Sequence, residues 1–119
     1  MERQDIIFHL VSEKEWKERQ ERGTYRPPSL QEAGFVHCSA GRQLEEVANR
    51  LYPGERKMLL LVIDVASLEP EVRYEEGEEG GDELFPHVYG PLNTGAVIDK
   101  IKLRPEDDGT FKIAFDTKD

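Results

Sequence analysis

The sequence predicts an α+β domain, on three observations. Short apolar runs rich in β-branched residues recur from Ile6 onward, two helical patterns fall in the first half, and the second half alternates without a helix. The order is strand, helix, loop, strand, helix, strand, and then several short strands. At 119 residues the chain suits one domain, and a domain of this size buries about two-thirds of its unfolded surface without a disulfide or metal.

Ile6-Ile7-Phe8-His9-Leu10-Val11 reads as a buried strand. Ser12 and Glu15 then form a capping box, opening a helix that Trp16 pins to the core and that runs to about Arg22, with Gly23 at its C′ position. Thr24 to Leu30 contains Pro27-Pro28, which fixes φ and removes two amide donors, so it reads as a stiff ordered loop. Ser29 is placed to cap one turn ending at Gly34. Phe35-Val36-His37-Cys38 is a second strand, and Ser39 is the expected N-cap of the next helix. Leu44, Val47, Ala48 and Leu51 follow at i, i+3, i+4, i+7, and Pro53-Gly54 closes that helix.

Met58-Leu59-Leu60-Leu61-Val62-Ile63 is the most apolar stretch and is expected to be the central strand, buried on both faces. Val72-Arg73-Tyr74 suggests a brief strand. The segment 75–83 contains only acidic residues and glycines, so charge repulsion and glycine freedom predict a mobile surface loop. Leu84 to Leu92 mixes loop and strand edge, and Ala96 to Leu103 alternates at its end. Asp108-Gly109 is a turn leading into Thr110 to Phe115, which predicts a terminal hairpin with a strand over 110–115.

Charge narrows the partners. Sixteen Lys and Arg stand against 25 Asp and Glu, for a net charge of −9. That balance opposes broad attraction to DNA, RNA or anionic membrane, each of which needs clustered cations. Cys38 is the single cysteine, which fits a reducing compartment; the polar start and the lack of a long apolar run add to the expectation of a cytoplasmic protein.

His9, His37 and His87 each lie inside or beside an apolar strand. Three imidazoles can hold Zn²⁺, but their positions are distant along the chain and Cys38 points away from its neighbour His37, so no metal is expected. A pocket is favoured, in which neutral imidazoles donate at one nitrogen and accept at the other against sugar hydroxyls. Core histidines with satisfied hydrogen bonds are the plain alternative. Cys38 lacks an adjacent base and reads as an inert buried thiol.

The words Tyr25-Arg26-Pro27-Pro28-Ser29-Leu30, Gly34-Phe35-Val36-His37-Cys38-Ser39 and Leu84-Phe85-Pro86-His87-Val88-Tyr89-Gly90-Pro91-Leu92 resemble those of the domain-of-unknown-function family 952. Ile7-Phe8-His9-Leu10-Val11, Trp16 and Leu60-Leu61-Val62-Ile63-Asp64 resemble it too, and the likeness covers about residues 6–103. That family is similar in turn to the ADP-ribosyltransferase-like superfamily, whose members bind NAD in a cleft of a split, mostly antiparallel sheet. The resemblance implies His9 holding a ribose, His37 and Ser39 beside the nicotinamide ring, and His87 at the position that acts on the ribose. His37 and His87 are thus the implied catalytic residues of a glycosyltransferase-class reaction.

That third position commonly holds glutamate. Glycosidic cleavage builds positive charge on the sugar, which a carboxylate stabilises and a protonated imidazole opposes. Glu83, four residues earlier, is one candidate to supply the carboxylate. Arg26 is the choice for the phosphates, since guanidinium grips phosphate in a bidentate way and Pro27-Pro28 stiffens its loop. Tyr25 and Tyr89 are candidate pocket walls, with Tyr89 taken as a ligand contact. Two rival readings stand beside this one. A non-catalytic interaction or ligand-binding domain predicts histidines that are structural and scattered. An RNA-directed activity needs Arg22, Arg26, Arg42, Arg50, Arg56 and Lys57 on one face.

Overall fold

A computed structural model describes residues 5–77 and 83–113. Nine strands and three α-helices are found among these residues: β1 Ile6–Ser12, α1 Glu13–Glu18, β2 Gln20–Glu21, β3 Thr24–Tyr25, α2 Pro28–Ala33, β4 Val36–His37, α3 Leu44–Leu51, β5 Met58–Asp64, β6 Glu71–Glu76, β7 Leu84–Tyr89, β8 Leu92–Asn93 and β9 Val97–Leu103. The strands form three antiparallel three-stranded sheets, ordered β1-β5-β9, β2-β3-β8 and β4-β7-β6. The chain is therefore a small α+β fold with short helices and antiparallel sheets.

β5 is central and buried on both faces. Leu59, Leu61 and Ile63 pack with Ile7, Val11, Trp16, Tyr25, Val36 and Val88. Met58 and Leu60 face the other way, against Phe8, Leu10, Leu44, Ala48 and Phe111. Alternation along β1 obeys the same rule, which sets His9 on the face of Ile7 and Val11.

Several expectations change in detail. Ser12 Oγ accepts from the Glu15 amide at 3.1 Å, but α1 stops at Glu18. Arg22 and Gly23 both have positive φ, 53° and 80°, and form the two-residue turn joining β2 to β3. Gly23 is thus a hairpin residue. Pro28 opens α2 at a first-turn position where its missing N–H has no cost, and Gly34 ends the helix in the left-handed region at φ 88°. The Pro-Pro segment is a helix start, not a loop, and Ser29 lies inside the helix.

Ser39 is not an N-cap. It exchanges two backbone hydrogen bonds with Phe8, 2.9 and 2.7 Å, while a single turn over Gly41–Gln43 leads into α3. Gln43 Oε1 accepts from the Ala40 amide and its Nε2 donates to the Leu84 carbonyl. The Ser39–Phe8 pairing covers part of the free edge of β1 and ties the first sheet to the third. Glu75 and Glu76 belong to β6; residues 78–82 of the expected acidic loop lie outside the described residues.

The terminal hairpin does not form within 110–113, and 114–115 lie outside the described residues. Asp108 does hold a turn, accepting from the Thr110 amide and hydroxyl. Beyond it, the Phe111 amide donates to Asn49 Oδ1 at 2.6 Å and the Ile113 amide donates to Glu45 Oε1 at 2.8 Å. Side chains of α3 take the place of a partner strand.

Candidate functional site

The segment Val36 to Ser39 crosses from the third sheet to the first. The Cys38 amide donates to the Pro86 carbonyl, and one residue later Ser39 pairs with Phe8. His37 and Ser39 therefore lie where two sheet edges meet, with His9 on one and His87 on the other. A cavity of about 320 Å³ opens at this junction, and His9, His37, Ser39 and His87 all line it.

β4 and β7 place His37 directly opposite His87, and Arg73 on β6 opposes His87 from the other side. Directly paired residues point to one face, so these three share it, along with Phe35, Glu75, Phe85 and Tyr89 by the period of two. Val36, Val72 and Val88 point the other way into the core. Phe35 covers the His87 ring, stacked with centroids 4.0 Å apart and 17° between planes, while the His37 and His87 rings meet edge to face at 5.7 Å.

His87 is 4% exposed. Its Nδ1 lies 2.8 Å from Glu75 Oε1, and because an ionised carboxylate only accepts, Nδ1 carries the proton. The same oxygen accepts from the Tyr89 hydroxyl at 2.6 Å. These two hydrogen bonds, Tyr89 first, hold the Glu75 carboxyl below the usual carboxylate range. A neutral His87 then has its lone pair at Nε2, to which no described group is bonded. Among the described residues no fully buried side-chain nitrogen or oxygen lacks a partner, and the His87 ring lines the cavity.

His9 is fixed differently. Its Nδ1 donates to the His37 carbonyl at 2.7 Å, and its Nε2, 3.2 Å from the Tyr25 hydroxyl, accepts from it. Burial lowers its pKa to about 4, so the ring is neutral at pH 7 with both nitrogens in use. Trp16 supports this arrangement through the Tyr25 ring, at 5.0 Å between centroids. Burial alone pushes the Cys38 thiol pKa up, so it stays protonated although it borders the cavity.

Other expected site residues lie elsewhere. Arg26 is exposed, with its amide on the Arg19 carbonyl, and is not on the cavity wall. Arg50, in the last turn of α3, is the arginine on that wall. Tyr89 and Glu75 are also off the wall; Tyr89 bonds Glu75, which holds the wall residue His87. Glu83 does not supply the carboxylate beside His87; it sits at the surface 3.9 Å from Arg42. Glu75 takes that place, and the alternation of Val72, Arg73, Tyr74 and Glu75 was the signal for it. Leu10, Val47 and Leu51 give the cavity an apolar side near Arg50. Among the described residues no group of three or more His, Cys, Asp or Glu side chains is arranged for a metal ion. No helix among them is long and apolar enough to cross a membrane.

Residues 10–100 match the family described as protein of unknown function (DUF952). The chain belongs to this family. It is similar to the crystal structure of CC0527 from Caulobacter crescentus, with a TM-score of 0.79 and 28% identity over 91% of this chain and 94% of that one. The solution NMR structure of CC0527 gives a TM-score of 0.76 and 28% identity, over 90% and 91% of the two chains. Both are structural-genomics targets. No curated protein matches the chain.

Proposed function

We propose that this DUF952 domain binds a nucleotide-type ligand of the NAD class in the cavity and that His87 acts there as a general base in cleaving or transferring at the ribose. The observation that carries the reading is the Glu75–His87 pair, with Nδ1–H anchored on a carboxylate and the ring on the wall of a hollow shared with two more histidines. A volume of about 320 Å³ is at the lower end of ligand sites, which run to about 1,000 Å³. It suits the nicotinamide–ribose half of NAD, with the rest extending past the rim. The ADP-ribosyltransferase-like resemblance of the three histidine motifs supports the same class.

The chemistry follows from the fixed tautomer. An acceptor hydroxyl or water beside Nε2 gives its proton to that nitrogen as its oxygen bonds to the ribose C1′. The bond from C1′ to nicotinamide breaks, and nicotinamide leaves neutral. Glu75 stabilises the imidazolium so formed and keeps negative charge near the cationic sugar, replacing the glutamate that the motif position lacks. General bases of this kind contribute about 10²–10⁴ in rate. Arg50 at the wall is the group suited to the phosphates.

One observation favours a non-catalytic ligand-binding domain instead: both nitrogens of His9 are committed within the protein, so this ring orients its neighbours and leaves none for a ribose hydroxyl. Incubation with NAD separates the two. The enzyme reading expects free nicotinamide that His87→Gln reduces at least a hundredfold. A binder shows a thermal shift with NAD or ADP-ribose and no nicotinamide. Neither response to any nucleotide would overturn both.

A further inference from the structure

We infer that Tyr89 is a positioning residue for His87, acting through the one Glu75 oxygen that both of them contact. The argument rests on the reading of His87 as a base but is tested without any ligand. Tyr89 O–H and His87 Nδ1–H converge on Oε1 at 2.6 and 2.8 Å. An oxygen that accepts two donors is less basic toward each, so the Tyr89 hydroxyl moderates the pull of Glu75 on the imidazolium. It also fixes the carboxylate rotamer that keeps the His87 proton on Nδ1.

The surroundings hold Tyr89 as a donor. Its hydrogen bond to Glu75 pushes its own pKa up, so the hydroxyl keeps its proton. The Arg73 guanidinium lies 4.6 Å from the ring centroid, a cation over the π face, and is held by Glu71 at 3.2 Å. Charged and titratable groups face the pair from each neighbouring element: Arg73 and Glu71 from β6, His37 from β4, and Arg50, Glu15, Tyr25, Tyr52 and Cys38 around the cavity. None of these others bonds Glu75 Oε1 among the described residues. Tyr89, Glu75 and His87 therefore form a hydrogen-bonded chain on one face of the third sheet that ends at the cavity wall.

Histidine NMR on the unliganded protein tests this. In the native chain, ¹⁵N shifts should report the His87 proton on Nδ1. Tyr89→Phe should lower the share of His87 with its proton on Nδ1, because the Glu75 carboxylate rotamer is then held by one donor only. Glu75→Leu should lower it further, because no acceptor then faces Nδ1. A native proton on Nε2 would overturn the inference, and so would a folded Tyr89→Phe with the native tautomer unchanged. Tyr89→Leu gives the same comparison should the phenylalanine variant not fold. A lack of nicotinamide release would sink the proposed function and leave this result intact.

Discussion

His9 makes acid stability a sharp test of the site's construction. The folded ring titrates at about 4 because burial outweighs the hydrogen bond it gives the His37 carbonyl, whereas an unfolded histidine titrates at 6.5. Between those values the unfolded chain takes up a proton that the folded chain refuses. Lowering the pH through this window therefore favours unfolding, and stability rises with pH up to about 6.5. At about 1.36 kcal/mol per pH unit, the loss reaches about 3 kcal/mol by pH 4. His9→Phe keeps a ring of similar size but leaves the His37 carbonyl and Tyr25 hydroxyl without it, at a cost of about 2–4 kcal/mol at pH 7. Urea unfolding of both proteins at pH 4, 5, 6 and 7 gives the comparison. The native curve should fall more steeply toward acid, so that the two converge near pH 4. Parallel curves would refute the reasoning, since other groups contribute equally to both.

Three other outcomes follow from placement. Arg50→Gln should weaken ADP-ribose binding about tenfold by calorimetry, about 1.4 kcal/mol for one lost charged contact, while Arg26→Gln changes it less than twofold. Phe111 is 1% exposed against Leu44, Met58 and Leu60, so Phe111→Ala should cost about 3–5 kcal/mol in urea unfolding. Glu75 contributes stability above its unfolded pKa that is lost as the pH falls through its lower folded value. Glu75→Gln should accordingly flatten the stability curve below pH 4.5, measured by thermal unfolding at pH 3–5.

The fold was legible where one pattern sufficed. Met58 to Ile63 is apolar at every position because both faces of β5 are covered, and Leu44 and Ala48 show the buried stripe of α3. Local signals with two meanings misled. Gly23 serves a helix end or a hairpin turn, and only the pairing of Gln20–Glu21 with Thr24–Tyr25 decides. Ser39 before a helix suggests a cap, yet its backbone is drawn to the β1 edge, a contact that no local pattern encodes. The three histidines could be singled out from the sequence, but their convergence comes from the Val36–Ser39 crossing. Glu75 was hidden by composition: it begins an acidic run, yet strand alternation and the His87–Tyr89 pair commit it to the His87 face of β6.

The central claim is that the cavity at the sheet junction holds a nucleotide-type ligand against His87. Titrating the protein with NAD while following the side-chain resonances of all three histidines tests it most directly. The account predicts saturable shifts, largest for His87, smaller for His37, and smallest for His9, whose nitrogens are already bonded. Unmoved imidazoles at saturating NAD and ADP-ribose, or shifts confined to residues away from the cavity, would contradict it.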